Sequence, residues 1–383
     1  MTVPHVVVAH PSTELYGADL QVLESVTALI EAGWRVTFAL PEDGPLAARA
    51  DALGAHVVRA PFPVLRKALL TPRGLLGLAG RASSATLRGA RWLRAERPDA
   101  VYVNTVTIPT WLAAARLARV PALVHVHEAE EDQARAVTAA LTAPLLLASA
   151  VVTNSESARR SVGRVFGGLS RGARVVPNGV PGPPAPPASP KPSAPHDGPL
   201  AVALVGRLSP RKGTDVAVDA VDLLRADGVD VTLRVAGTTF TGYEWFEDEL
   251  RARVDAAGLA DRVTFLGFVR PTWPELDRAD VVVVPSRVEP FGNTAVEGML
   301  AGRPVVASRT QGLAEILRDG ETGLLVEPGD PADLARALAR LARDPELRGR
   351  LAAAGRADAL ERFGTARYGA EIVAAVEGVR TAG

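Results

Sequence analysis

Cysteine is absent from this 383-residue chain. That excludes disulfides, thiolate nucleophiles and zinc–thiolate centres, and it suits a reducing cytoplasm. Aromatic residues make up 5% and methionine occurs twice. Long apolar runs are missing as well. The longest, "ALTAPLLLASAVV" at 140–152, has 13 residues, where a bilayer-spanning helix needs about 20. The opening "MTVPHVVVAHP" has no basic stretch ahead of a long apolar core, so it does not read as a signal peptide. Nor is there a charge of one sign, since 43 basic residues face 43 acidic ones. A nucleic-acid partner is not indicated by that balance.

What remains is an ordinary globular composition, 47% hydrophobic and 22% charged, at a length that implies two domains. Short Val/Ala runs alternate with helical stretches. "HVVVAH" (5–10), "RVTFAL" (35–40), "AVYVN" (100–104), "ALVHVH" (122–127), "AVVTNS" (150–155) and "RVVPNG" (174–179) form a first series. The second series is "LAVALVG" (200–206), "VTLRVAG" (231–237), "VTFLGFV" (263–269), "DVVVVPS" (280–286), "PVVAS" (304–308) and "TGLLVEP" (322–328). Such runs are continuous rather than alternating, as expected of parallel strands buried on both faces. Between the series, "PGPPAPPASPKPSAPHDGP" (181–199) supports neither helix nor central strand and reads as a linker. The expected organisation is a first domain over 1–180, the linker 181–199, a second domain over 200–365, and a C-terminal helix over 366–383 that can return to the first domain. Both domains are expected to be doubly wound α/β units with a cleft between them, so residues just after the strands are the candidates for chemistry.

After "LAVALV" comes "GRLSPRKG" (206–213), in which Arg207 and Lys212 stand near a helix start, with Gly206 and Gly213 allowing close backbone approach. Two cations there suit a diphosphate; a solvated basic loop is the alternative. The segment is not a P-loop, and no GxGxxG follows a strand, which argues against a dehydrogenase. After "ALVHVH", His125 and His127 share one face of their strand, with Glu128 and Asp132 nearby. They could hold a metal or form a hydrogen-bonded buried pair. Gly17 opens the helix after the first strand, either for a turn or for a ligand. The segment "EPFGNTAVEG" (289–298) carries two glutamates, Glu289 and Glu297. With Asn293 or Thr294 as the helix cap, Glu297 would be a first-turn acid, but Glu289, ahead of a proline, has no such explanation.

Taken together, "GRLSPRKG", "VTFLGFV", "EPFGNTAVEG" followed by "GMLAGRPVVAS", and "GLAEILRDGETGLLVEPGD" resemble the retaining nucleotide-sugar glycosyltransferases of family 4. The resemblance runs over essentially the whole chain and is strongest over 204–328. The first half departs more: "YGAD" stands where the family often has two adjacent glycines, and "VHVHE" where it usually has His followed by an acid or small residue. The resemblance implies a GT-B fold of two Rossmann-like domains. It implies that Arg207 and Lys212 hold the diphosphate, that Glu297 accepts the ribose hydroxyls, and that Glu289 lies near the transferred sugar. Phe291, Gly292, Asn293 and Thr294 would offer backbone N–H groups, the loop at Gly17 would let the acceptor near the phosphate, and His127 would approach the donor sugar. With no Asp-x-Asp in the chain, no metal and no cofactor are expected; a nucleoside-diphosphate sugar is the co-substrate, UDP-linked first and GDP-linked as the alternative.

Other classes remain open: a sugar-nucleotide epimerase on the same fold, or a binding protein that kept the fold without the chemistry. The acceptor (glycan, lipid-linked sugar or small metabolite) is not named by the sequence. One stretch invites a further expectation. Residues 61–95 hold seven basic side chains (Arg66, Lys67, Arg73, Arg81, Arg88, Arg91, Arg94), interleaved with leucines and without an acid. They suit either a solvated helix face or acceptor-channel lining, or peripheral contact with the anionic inner face of a membrane.

Overall fold

The computed structural model describes residues 3–65, 72–129, 134–185 and 198–382. Arg66, Lys67 and Asp132 lie outside the described residues, as does 186–197 of the proline-rich segment. The chain forms two compact units. One comprises the residues up to Gly179 together with the helix Thr365–Ala382; the other runs from Val180 to Gly364.

In the first unit the strands are β1 (His5–Ala9), β2 (Arg35–Leu40), β3 (His56–Arg59), β4 (Ala100–Val103), β5 (Ala122–Val126), β6 (Ala150–Thr153) and β7 (Arg174–Val175). They pair in parallel in the order β3-β2-β1-β4-β5-β6-β7. The continuous apolar run of β1 has a direct reason. Val6 and Val8 feed the core on one face of the sheet while Val7 and Ala9 feed the core on the other. Helix Thr365–Ala382 closes the first of these cores with Tyr368, Ile372, Val376 and Val379, a stripe at helical spacing. It packs on helix Gly17–Glu31, and the Tyr368 hydroxyl meets Ser25 Oγ at 2.6 Å.

The second unit repeats the plan with β8 (Leu200–Val205), β9 (Val231–Ala236), β10 (Val263–Gly267), β11 (Val281–Val284), β12 (Val305–Ser308) and β13 (Leu324–Val326). Their order is β10-β9-β8-β11-β12-β13, again parallel. Val281 and Val283 enter one core and Val282 and Val284 the other. In each sheet the winding reverses once, between β1 and β4 and between β8 and β11. Ligands of doubly wound sheets collect beyond the carboxyl ends of strands at such points.

Local differences from the sequence reading have physical causes. β3, "HVVR", is four residues with both ends exposed, too short to stand out by pattern. The run 174–179 pairs over only two residues. Pro177 has no N–H for a ladder, and the carbonyl of Pro177 accepts from Arg367 Nη2 at 2.6 Å instead. Arg81, Arg88, Arg91 and Arg94 lie exposed on helix Pro72–Glu96, opposite the buried Ala85, Ala90 and Leu93. No helix among the described residues is long and apolar enough to cross a membrane.

Candidate active site

Two loops leave neighbouring strands where the second sheet reverses. β8 gives way to Gly206 and Arg207; β11 gives way to Pro285–Glu289. Lys212 ends a single 3-10 turn, Pro210–Lys212, and its ammonium pairs with the Glu289 carboxylate. The two side chains are 27% and 11% exposed, so water screens the pair much less than a surface ion pair. Ser286 Oγ also donates to Glu289 Oε2, at 3.3 Å.

Arg287 fixes this geometry, and sequence reasoning missed it. Its guanidinium donates to both carboxylate oxygens of Asp215, at 2.8 and 2.6 Å, and to the Pro210 carbonyl at 2.6 Å. Its own backbone N–H donates to the Arg211 carbonyl at 2.8 Å. A planar fork satisfied on both sides allows little rotation. The turn that carries Lys212 is thereby tied to the loop that carries Glu289.

Glu297 does not serve as a cap. Helix Asn293–Leu300 takes Gly292 as its N-cap, at φ +124°, and has no acid in its first turn. Glu297 lies one turn further in, half-buried, where a capping acid has no function. Burial raises its carboxyl from the ordinary 4.5 to about 7, with the Arg270 guanidinium pulling the other way. Between those values the folded chain binds more protons than the unfolded chain, so this group's contribution to stability falls as pH rises through that window.

The remaining donor-side residues differ in what they can offer. Phe291 is 5% exposed and packs edge-to-face on Phe363, with ring centres 5.8 Å apart; only its backbone is left for a ligand. Thr294 spends its hydroxyl on the Val205 carbonyl at 3.3 Å, tying the helix start to the end of β8. Asn293 is the first residue of that helix and Gly206 N–H donates to the Ala236 carbonyl at 2.9 Å. Arg207 lays its guanidinium over the Phe240 ring, 3.7 Å from the centroid, a cation–π contact that holds the charge beside the β8 loop.

In the first unit, Gly17 is the exposed first residue of helix Gly17–Glu31 and follows β1. His127 follows β5, half-buried, with its ring 4.0 Å from that of His125. His125 is fully buried and bonds through Nδ1 to the Tyr102 hydroxyl at 2.7 Å. Desolvation holds the His127 pKa down at about 3, and nearby His10 lowers it further. Among the described residues no group of three or more His, Asp or Glu side chains is placed to hold a metal ion.

Comparison with known proteins identifies the family and the fold. The family described as glycosyl transferases group 1 matches residues 187–358, and the one described as glycosyltransferase family 4 matches residues 16–181. A 2-deoxystreptamine glucosyltransferase of Streptomyces kanamyceticus is 31% identical over 355 residues, covering 85% of this chain and 90% of that protein. A D-inositol 3-phosphate glycosyltransferase of Acidothermus cellulolyticus is 39% identical over 216 residues, 53% of this chain and 48% of that one. Among solved structures, Anabaena HepE in complex with UDP and glucose superposes with a TM-score of 0.81 at 23% identity, covering 98% of this chain and all of that one. Two Rossmann-like units of parallel sheet, a GT-B fold and a glucosyltransferase relative matched over 90% of its length make this chain an enzyme of the group 1 glycosyl transferases.

Proposed function

We propose that the protein transfers a glycosyl group from a UDP-sugar to an acceptor hydroxyl, with retention of configuration and without a metal ion. The observation that carries this is the Lys212–Glu289 pair at the carboxyl edge of β8 and β11, beside Arg207 and the start of helix Asn293–Leu300. As the sugar leaves, negative charge builds on the terminal phosphate of the nucleoside diphosphate. Arg207, Lys212 and the helix N-terminus are fixed positive groups suited to that charge, which other enzymes meet with Mg²⁺. Glu289 stands beside the ammonium, near the sugar. Glu297 accepts the ribose hydroxyls, and His127 approaches the transferred sugar. Attack on the same face as departure, with the leaving phosphate taking the acceptor proton, retains configuration. The UDP preference is supported by the fold neighbour solved with UDP. A cytoplasmic enzyme, with peripheral membrane contact through the exposed face of Arg81, Arg88, Arg91 and Arg94, fits this reading.

A thermal-shift comparison of UDP and GDP tests the donor. At 100 times its Kd a ligand adds about 2.7 kcal/mol of stability, so UDP should raise Tm by several degrees. Stabilisation by GDP alone would reassign the base, and stabilisation by neither would remove the donor site. With UDP-glucose and an acceptor, UDP release should survive excess EDTA; loss with rescue by Mg²⁺ would refute the metal-free mechanism.

Glu297 adds a pH dependence. Ribose hydroxyls donate, so the carboxylate is the binding form, and only about a tenth of it is ionised one unit below its pKa. UDP affinity should therefore be about tenfold weaker at pH 6 than on the plateau above pH 8, beyond any change shown by Glu297→Gln. Calorimetry at both pH values on the two proteins reads this directly. Identical pH profiles would leave Glu297 a packing residue.

A further inference from the structure

The first unit contains a run of buried polar side chains that leads to His127 and has no part assigned to it so far. His10 follows β1, Asn104 follows β4 and His127 follows β5, so all three stand at the carboxyl edge where that sheet reverses. Asp19 reaches them from the first turn of helix Gly17–Glu31. His10 and Asn104 are each 1% exposed. Asp19 Oδ1 lies 2.9 Å from His10 Nε2, and Asp19 Oδ2 accepts from the Tyr16 N–H at 2.9 Å. His10 Nδ1 lies 3.0 Å from Asn104 Nδ2. Asn104 Oδ1 then lies 2.9 Å from His127 Nε2 and accepts from the Tyr102 hydroxyl at 3.2 Å.

The Asn104 amide sets the direction of every bond. Its Nδ2 can only donate and faces His10 Nδ1, which is therefore the lone pair of that ring. His10 then carries its proton on Nε2, toward the Asp19 carboxylate, which accepts. The amide oxygen consequently faces Tyr102 and His127, and His127 must carry its proton on Nε2. Nδ1 of His127 is left bare. Burial keeps that ring neutral well below pH 7, so it holds a single proton to be placed.

We propose that Asp19, His10 and Asn104 are positioning residues that fix His127 as its Nε2–H tautomer and leave Nδ1 as a hydrogen-bond acceptor for a hydroxyl of the transferred sugar. The part played at the sugar rests on the function proposed above; the tautomer does not. None of the three positioning residues was among the sequence candidates, and a chain linking positions 10, 19, 104 and 127 has no local signature.

The test is nitrogen NMR of the full-length ligand-free protein at pH 7, labelled with ¹⁵N-histidine, with His127 assigned by the signals lost in His127→Gln. The expected result is a bare Nδ1 and a directly observed, slowly exchanging Nε2–H. Asn104→Leu, close in size but without the acceptor, should abolish that slow exchange. A wild-type ring protonated on Nδ1, or an Nε2–H still protected in Asn104→Leu, overturns the proposal. Turnover of UDP-glucose separates the two readings. In Asn104→Leu it should fall about tenfold or more, while the Kd for UDP, which has no sugar to meet His127, stays within twofold of wild type. A changed tautomer with unchanged turnover would leave the positioning chain in place and remove His127 from the donor sugar.

Discussion

Replacing Lys212 with alanine is expected to lower kcat by on the order of 10²–10³, the usual loss when one preplaced stabiliser of a developing anion is removed. The ligand-free pairing gives this expectation a second component. Glu289 is 8% exposed, so without the ammonium it is a poorly hydrated charge with Ser286 as its remaining described partner. Loss of activity could then reflect a displaced Glu289 and not a missing phosphate ligand. A double variant separates them. Lys212→Ala with Glu289→Gln removes both charges and should regain stability without regaining turnover beyond that of Glu289→Gln alone. If Lys212→Ala keeps more than half of wild-type kcat, the diphosphate assignment is lost.

Gly213→Ala is expected to cost about 2–4 kcal/mol of stability, more than most single substitutions. Gly213 joins the Lys212 turn to helix Thr214–Ala226 at φ +69°, a left-handed conformation that a side chain disfavours. Backbone strain alone accounts for about 1 kcal/mol or a little more. Steric overlap costs more, because a Cβ at this position would stand 1.9 Å from the Pro285 carbonyl oxygen. That atom is backbone of the opposite loop, which Arg287 holds against Asp215 and the Pro210 carbonyl, so it has little freedom to retreat. Urea unfolding should show a lower midpoint at unchanged m-value. Wild-type stability would mean that the two loops slide apart easily, contrary to the rigidity argued for Arg287.

How much of this was readable beforehand depends on the range of the signal. The strands were legible because burial on both faces leaves a simple mark, an unbroken Val/Ala run such as 281–284. β3 left no such mark, being four residues at the sheet edge. Lys212 and Glu289 were legible as motif members, yet their direct pairing was not, since 77 positions separate them. Arg287 looked like any surface arginine beside a proline-containing turn; its function emerges only when Asp215 and the Pro210 carbonyl arrive on the same side. Glu297 shows the reverse case. Its spacing from Thr294 allowed a capping box, and only the true helix start at Gly292 removes that reading. Phe291 was named for its backbone N–H; the commitment of its side chain to Phe363 and the core left no mark in the sequence.

The helix Thr365–Ala382 also sets an order of assembly. Residues 180–364 form the other unit in their entirety before the chain reaches Thr365. At ribosomal rates of about 5–20 residues per second, that interval lasts roughly 10–40 s. Throughout it, the unit made first lacks Tyr368, Ile372, Val376 and Val379, and the side of helix Gly17–Glu31 that they cover faces water. The unit made second needs nothing from this helix for its own core clusters. Synthesis order and completion order therefore differ: the core shared by helices Gly17–Glu31 and Thr365–Ala382 is closed only after residues 180–364 have been made.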